Sequence, residues 1–236
     1  MRQGVRGRRG HSLDTGLSVQ VLADTITEGE GLRLPETERK EMVFLSPTEF
    51  AVVHGGITRP MFADLALWLV STGMRFGEAT ALRPGDIDVE NATARVGRAW
   101  KYSGGYSRRL GPPKTRKSRR TIDLTPQAVE VAGRHADGEW LFSLSSGGPV
   151  SPQGFWRRAW EPARRAAREH GLTKTPRVHD LRHTNASWMI ASGIPLPMIQ
   201  AHLGHESITT TIDRYGHLDR TSGKAAARAI GDLLSA

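Results

Sequence analysis

The 236-residue chain contains no cysteine. Disulfides, a thiolate metal site and a cysteine nucleophile are therefore ruled out, and covalent chemistry must use an oxygen or nitrogen nucleophile. No apolar run approaches the roughly 18 residues that a spanning helix requires, and the opening stretch has no signal-peptide core. No membrane partner and a soluble, cytoplasmic protein are the expectation. Acidic side chains are in deficit: 24 Asp plus Glu face 33 Lys plus Arg, for a net charge of +9. Such a surface favours a polyanionic partner, because binding phosphates releases their counterions. The apolar share of 38% can build a real core, so disorder throughout is excluded, and the length fits one large domain with or without a small appendage.

Residues 1–41 place Arg2, Arg6, Arg8 and Arg9 among Gly, Ser and Thr, followed by Glu28, Glu30, Glu36, Glu38 and Glu41, with no sustained apolar periodicity. This reads as a flexible arm or linker. Order is expected to begin at Ser46-Pro47-Thr48-Glu49, a capping box that opens a helix to about Val53. Met61 to Val70 reads as a buried helix stopped at Gly73, followed by a second helix carrying Arg75 to Leu82. Pro84-Gly85-Asp86 is turn chemistry, and Ile87–Val89, Ala92–Val96 and Thr121–Leu124 alternate as strands of a small antiparallel sheet. A basic hairpin, Lys101 to Arg120, lies between the last two. Thr125-Pro126 opens another helix, and Ser151-Pro152 a longer one through His170, closed by Gly171. The chain is helical again from His179, with breaks at Gly193–Pro197 and near Gly204, and a terminal helix starts at about Gly223. The fold class expected is mainly α with a small antiparallel β-sheet, an α+β arrangement.

The densest cluster of unusual residues is Val178-His179-Asp180-Leu181-Arg182-His183-Thr184. On a helix, His179, Arg182 and His183 stand at i, i+3 and i+4 and share one face, a composition suited to a phosphate. Two rivals stay open here: a solvated basic helix end, and a zinc site on His179 and His183. Arg182 between the two histidines disfavours the metal, since a guanidinium repels a dication. Glu78, three residues after Arg75, reads as the carboxylate that orients that guanidinium, or as a plain surface pair. Tyr215, one of three tyrosines, follows Arg214 among polar residues, a pattern that predicts an exposed hydroxyl.

Thr72-Gly73-Met74-Arg75-Phe76-Gly77-Glu78, Pro113-Lys114-Thr115 with Ser118 and Arg120, His179-Asp180-Leu181-Arg182-His183-Thr184, Leu203-Gly204-His205 and Tyr215-Gly216-His217 resemble, in order, the five motifs of the tyrosine recombinases, the phage integrase family. The resemblance spans residues 42–220 and implies that family's catalytic-domain fold. It implies a site-specific recombinase that cuts and rejoins duplex DNA through a 3′-phosphotyrosyl bond to Tyr215. Arg75 and Arg182 are implied as the phosphate clamp, Lys114 as the acid protonating the leaving 5′-oxygen, His179 as acceptor of the tyrosyl proton or holder of the phosphate, and His205 as a further donor. A plain phosphate contact is the other reading of Lys114. Arg116, Lys117, Arg119, Arg120 and His183 are taken as DNA contacts, and His217 as a supporting residue. The clamp and the lysine supply the charge a metal would bring, so no metal or cofactor is called for.

Family members usually carry a helical core-binding domain ahead of the catalytic one, whereas only about 40 residues precede it here. A truncated remnant, a misplaced start and a short integrase reliant on partners are the explanations left open. The last of these includes a DNA-bending accessory protein. The expected assembly is a homo-tetramer on synapsed DNA, nucleoid-associated. The tail, residues 221–236, is expected to dock on its own domain or on a neighbouring protomer.

Overall fold

The computed structural model describes residues 42–103, 107–113, 115–216, 228, 230 and 232, within a unit that starts at Met42. Residues 1–41, Lys114, His217 and most of the tail lie outside the described residues, and so do the expectations placed on them.

Helix α1, Pro47–Gly55, starts where its cap dictates: the Ser46 hydroxyl accepts from the Glu49 amide at 3.1 Å and the Glu49 carboxylate accepts from the Ser46 amide at 2.7 Å. Helix α2, Pro60–Thr72, is apolar on nearly every side because it runs through the core, with Leu65, Ala66, Trp68, Leu69 and Val70 all buried. It ends at Gly73, which takes the left-handed conformation at φ 59°. A Cβ there would stand 2.5 Å from Asn185 Oδ1 and 2.8 Å from Leu203 Cδ2. Gly73→Ala is therefore expected to cost about 2–4 kcal/mol from left-handed strain plus overpacking. Urea unfolding measures it, and an unchanged midpoint would contradict the close approach.

The helix expected through Leu82 is a single turn, α3, Phe76–Ala79. The next carbonyls are claimed elsewhere: the Trp100 indole donates to Thr80 O at 3.0 Å and the Leu141 amide to Leu82 O at 2.8 Å. After a 3₁₀ turn at Pro84–Asp86 come β1 (Ile87–Asp88), β2 (Thr93–Val96), β3 (Ala99–Ser103), β4 (Ser107–Gly111) and β5 (Arg120–Asp123). Strands β1, β2 and β5 form an antiparallel sheet in that order, with Val96 opposite Arg120. Strands β3 and β4 form a separate ribbon with Trp100 opposite Leu110, so the basic hairpin has its own pairing.

Helix α4, Pro126–Arg134, is capped by the Thr125 hydroxyl. The long helix read from Ser151 is divided into α5 (Pro152–Phe155), a π-helical turn (Trp156–Trp160) and α6 (Glu161–Glu169). Pro162 has no amide to donate to the Arg158 carbonyl and its ring crowds that oxygen, which accounts for the widening just before it. Helices α7 (Asp180–Ala191), α8 (Leu196–Leu203) and α9 (Ile208–Tyr215) complete the described chain, α8 ending at left-handed Gly204. The main core gathers Phe62, Trp68, Phe142, Phe155 and Trp160, with edge-on aromatic pairs such as Phe62–Phe155 at 5.8 Å. A second cluster joins Ala186, Ile190, Ile199, Leu203 and Tyr215 across α7, α8 and α9. The architecture is mainly helical with small antiparallel sheets, and no helix among the described residues is long and apolar enough to cross a membrane.

Candidate active site

The glycine turn after α2 delivers Arg75 to the N-cap of α3, where its side chain stays about 30% exposed. Its Nη1 donates to Glu78 Oε1 at 2.8 Å and to Ser118 Oγ at 3.2 Å. Glu78, almost wholly buried, accepts from the Arg75 amide at 3.1 Å and from Arg120 Nη2 at 3.2 Å through its other oxygen. Burial pushes the Glu78 carboxyl up, but the charges of Arg120, Arg75 and Arg182 outweigh it and leave the group below its ordinary value. Glu78 thus orients Arg75, as its spacing predicts, and offsets only one of three guanidinium charges.

Arg182, on α7, is buried and held by main chain: Nη1 donates to Gly73 O and Nη2 to Leu203 O, each at 2.7 Å. Those bonds use one N–H on each terminal nitrogen and leave others of the fork for a ligand. Burial, then repulsion from Arg75, lowers Arg182 to about 9, so it stays cationic at neutral pH. A cavity of about 180 Å³ adjoins it, lined by His179 and the apolar side chains of Leu69, Met74, Phe76, Pro152 and Val178. Apolar walls strengthen every charge interaction within their reach.

Tyr215 reverses one expectation. Its ring is fully buried, because α9 turns Thr211 and Tyr215 inward at i and i+4 while Ile212, Asp213 and Arg214 face out. The phenolic oxygen lies 2.7 Å from His183 Nδ1. His205 stacks flat on the Tyr215 ring, centroids 6.3 Å apart at 9°, with its own Nδ1 2.9 Å from Thr211 Oγ1. His179 packs edge-on against His183 at 4.9 Å, as the shared helix face predicts. Burial raises the Tyr215 phenol, against the charges of Arg182, Arg214 and Arg75, all near enough to act on it.

Two residues taken as DNA contacts sit elsewhere. His183 is buried on Tyr215 because it shares the inward face of α7. Arg120 is enclosed, its Nε donating to His202 O at 2.6 Å and its Nη1 to Ser118 O at 3.0 Å, so it braces the site beneath Glu78. Lys117 and Arg119 are exposed, Arg116 lies in a 3₁₀ turn, and Lys114 and the Arg116 side chain are outside the described residues. Sequence reading passed over Lys101, on β3, which lines a cavity of about 460 Å³ with Arg75, Gly77, Glu78, Ala99 and Trp100. Its one signal was membership of the basic hairpin. Arg214 was likewise passed over as a charge acting on the histidines. Among the described residues no group of three or more metal-ligating side chains gathers.

Burial comes first in lowering the histidines, His179 and His183 to about 4 and His205 to about 3. Repulsion follows, from Arg182 at His179 and His205 and from His179 at His183. Their ordinary value is 6.5, so between 6.5 and about 4 the unfolded chain binds more protons than the folded one. The stability from keeping them neutral is complete above 6.5 and is lost as pH falls through that window. Urea midpoints should decline from pH 6.5 downward; imidazole NMR resonances titrating near 6.5 in the folded chain would contradict this.

The model of the phage integrase family matches residues 58–222. The chain is 28% identical to the ICEBs1 integrase of Bacillus subtilis, over 96% of its own length and 69% of the relative's. It is 33% identical to a putative prophage phiRv2 integrase of Mycobacterium tuberculosis, over 74% of its length but only 45% of that protein. Among solved structures, the Tn1549 transposon integrase in complex with a circular intermediate DNA superposes with a TM-score of 0.70 at 20% identity, covering 82% of this chain and 68% of that one. That likeness carries the fold, and the match of the family model over most of the chain carries the lineage. The chain belongs to the phage integrase family and has the catalytic-domain fold of the tyrosine recombinases.

Proposed function

We propose that residues 42–220 are the catalytic domain of a site-specific DNA recombinase that cuts and rejoins duplex DNA through Tyr215. The observation that carries this reading is the convergence of three segments. Arg182 on α7 donates to Gly73 O, in the turn that presents Arg75, and to Leu203 O. Leu203 packs in one cluster with Tyr215 of α9, so both guanidinium charges act on the phenol. A phosphodiester repels nucleophiles, and further negative charge develops as the fifth oxygen approaches phosphorus, so donors fixed around the non-bridging oxygens do most of the work. Arg75 and Arg182 supply that clamp, with His205 as a further donor, and the excess positive charge left by Glu78 matches the anion.

Tyr215 Oη bonds to phosphorus as the bond to the 5′-oxygen breaks. The phosphotyrosyl ester keeps the bond energy for a second 5′-hydroxyl to rejoin the strand. Two lysines compete to protonate the leaving oxygen: Lys114 by its motif, and Lys101 by its place in the cavity beside Arg75. The finer picture is a tetramer on two synapsed duplexes, with an accessory bending protein and with residues 1–41 and 221–236 as arm and tail.

A suicide substrate tests the reading, using nicked duplexes from the DNA that flanks the gene. The intact chain should form a covalent DNA adduct that survives denaturation, and Tyr215→Phe none. The absence of any adduct with the intact chain points instead to a DNA-binding remnant and overturns the proposal.

A further inference from the structure

We infer that His183 is the base that takes the Tyr215 phenol proton during DNA cleavage and returns it on rejoining, an assignment that rests on the cleavage chemistry proposed above. Two imidazoles, His183 and His205, pack against the Tyr215 ring and a third, His179, packs on His183. Of the three, only His183 is hydrogen-bonded to the phenolic oxygen. His183 Nδ1 lies 2.7 Å from Tyr215 Oη. The His205 ring lies parallel to the phenol with centroids 6.3 Å apart, makes no hydrogen bond to its oxygen, and has its Nδ1 engaged by Thr211. His179 sits at the N-cap of α7 with its ring against His183. It therefore adjoins the base more closely than the nucleophile.

The step balances within the site. With its hydrogen on Nε2, neutral His183 presents the Nδ1 lone pair to the phenol. As Oη bonds to phosphorus, the O–H proton moves to Nδ1, the bond to the 5′-oxygen breaks with its electron pair on that oxygen, and a lysine ammonium protonates it. On rejoining, the imidazolium returns the proton as the phosphotyrosyl bond opens.

Tyr215 Oη contacts His183, and the charged and titratable groups that act on this imidazole are His179 at the N-cap of α7, Asp180 and Arg182 on α7, outward-facing Arg214 on α9, and His205 after α8. Burial and this largely cationic company keep the imidazole neutral, the form a base requires. They also make it too weak to ionise the phenol at rest, so the proton moves together with attack. A bound phosphodiester anion offsets Arg182 and Arg214 and strengthens the base when substrate is present.

The test is His183→Gln in the full chain, which keeps an amide against the phenol but cannot take a proton. Phosphotyrosyl formation should fall on the order of 10²-fold or more. The deficit should shrink as Tyr215 is replaced by fluorotyrosines of increasing acidity, which a merely structural contact would not produce. A substrate with sulfur at the 5′-bridging position expels a thiolate that needs no proton; it should restore Lys101→Ala or Lys114→Ala, whichever removes the acid, and leave His183→Gln slow. If His183→Gln does not fold, judged by circular dichroism, His183→Asn takes its place. A variant that cleaves at the normal rate, is restored by the sulfur substrate, or is insensitive to phenol acidity overturns the assignment of His183 alone. Absence of adduct with the unsubstituted chain overturns the cleavage reading and this one with it.

Discussion

Arg182→Lys is expected to slow phosphotyrosyl formation by about 10³-fold, because one lysine ammonium cannot replace a fork whose position is set from behind. In the folded chain Gly73 O and Leu203 O each take one N–H of Arg182. Those bonds fix the guanidinium plane before any substrate arrives, so little reorganisation is required as charge develops on the phosphate. Lysine satisfies at most one carbonyl well and offers no second parallel donor. The abandoned carbonyl adds a stability loss of about 1–3 kcal/mol, which a parallel melting experiment separates from the kinetic effect. Single-turnover adduct formation is the decisive readout, and a variant within tenfold of the unsubstituted chain would remove Arg182 from the clamp.

Glu78→Gln is expected to destabilise the fold by about 3–5 kcal/mol, the cost of breaking a buried charge pair from one side. Glu78 is the carboxylate against which Arg75 and Arg120 are packed, and Arg182 lies near enough to feel it. Removing the charge leaves the Arg120 and Arg182 guanidinium groups repelling one another. Because glutamine keeps only one acceptor oxygen, either the Arg75 Nη1 bond at 2.8 Å or the Arg120 Nη2 bond at 3.2 Å is lost. The pH dependence has a definite sign. The folded carboxyl lies below its ordinary 4.5, so its stabilisation is present above that value and disappears as pH falls below it. The variant should lose that part of the acid limb. Chemical denaturation across pH checks both effects, and a cost under about 1 kcal/mol would show that the cluster does not depend on its carboxylate.

Features decided within a turn or two of chain were legible in the sequence. The Ser46–Glu49 box, the stop at Gly73, the cap at Thr125 and the strand alternation around Ala94 and Ile122 each depend on neighbours, and each appears as read. The division at Trp156–Trp160 was missed because its cause, Pro162, was passed over inside an otherwise helical pattern. The ordered motifs picked out the segments that meet, but not which atoms touch. Arg182 reaches Gly73 O across 109 positions and Arg120 reaches Glu78 across 42, and no local periodicity reports contacts of that range. Tyr215 misled for a related reason: the polar residues around it line the outer side of a short helix whose inner side is set by α7 and α8. The same packing put His183, and not His179, on the phenol.

The most direct measurement is the structure of the chain with a nicked duplex and orthovanadate, which closes the nick as a five-coordinate mimic of phosphorus in transfer. The account predicts vanadium bonded to Tyr215 Oη at an apical position, with the Arg75 and Arg182 guanidinium groups hydrogen-bonded to its equatorial oxygens. Vanadate held with another residue at the apical position, or with either guanidinium turned away, would contradict it.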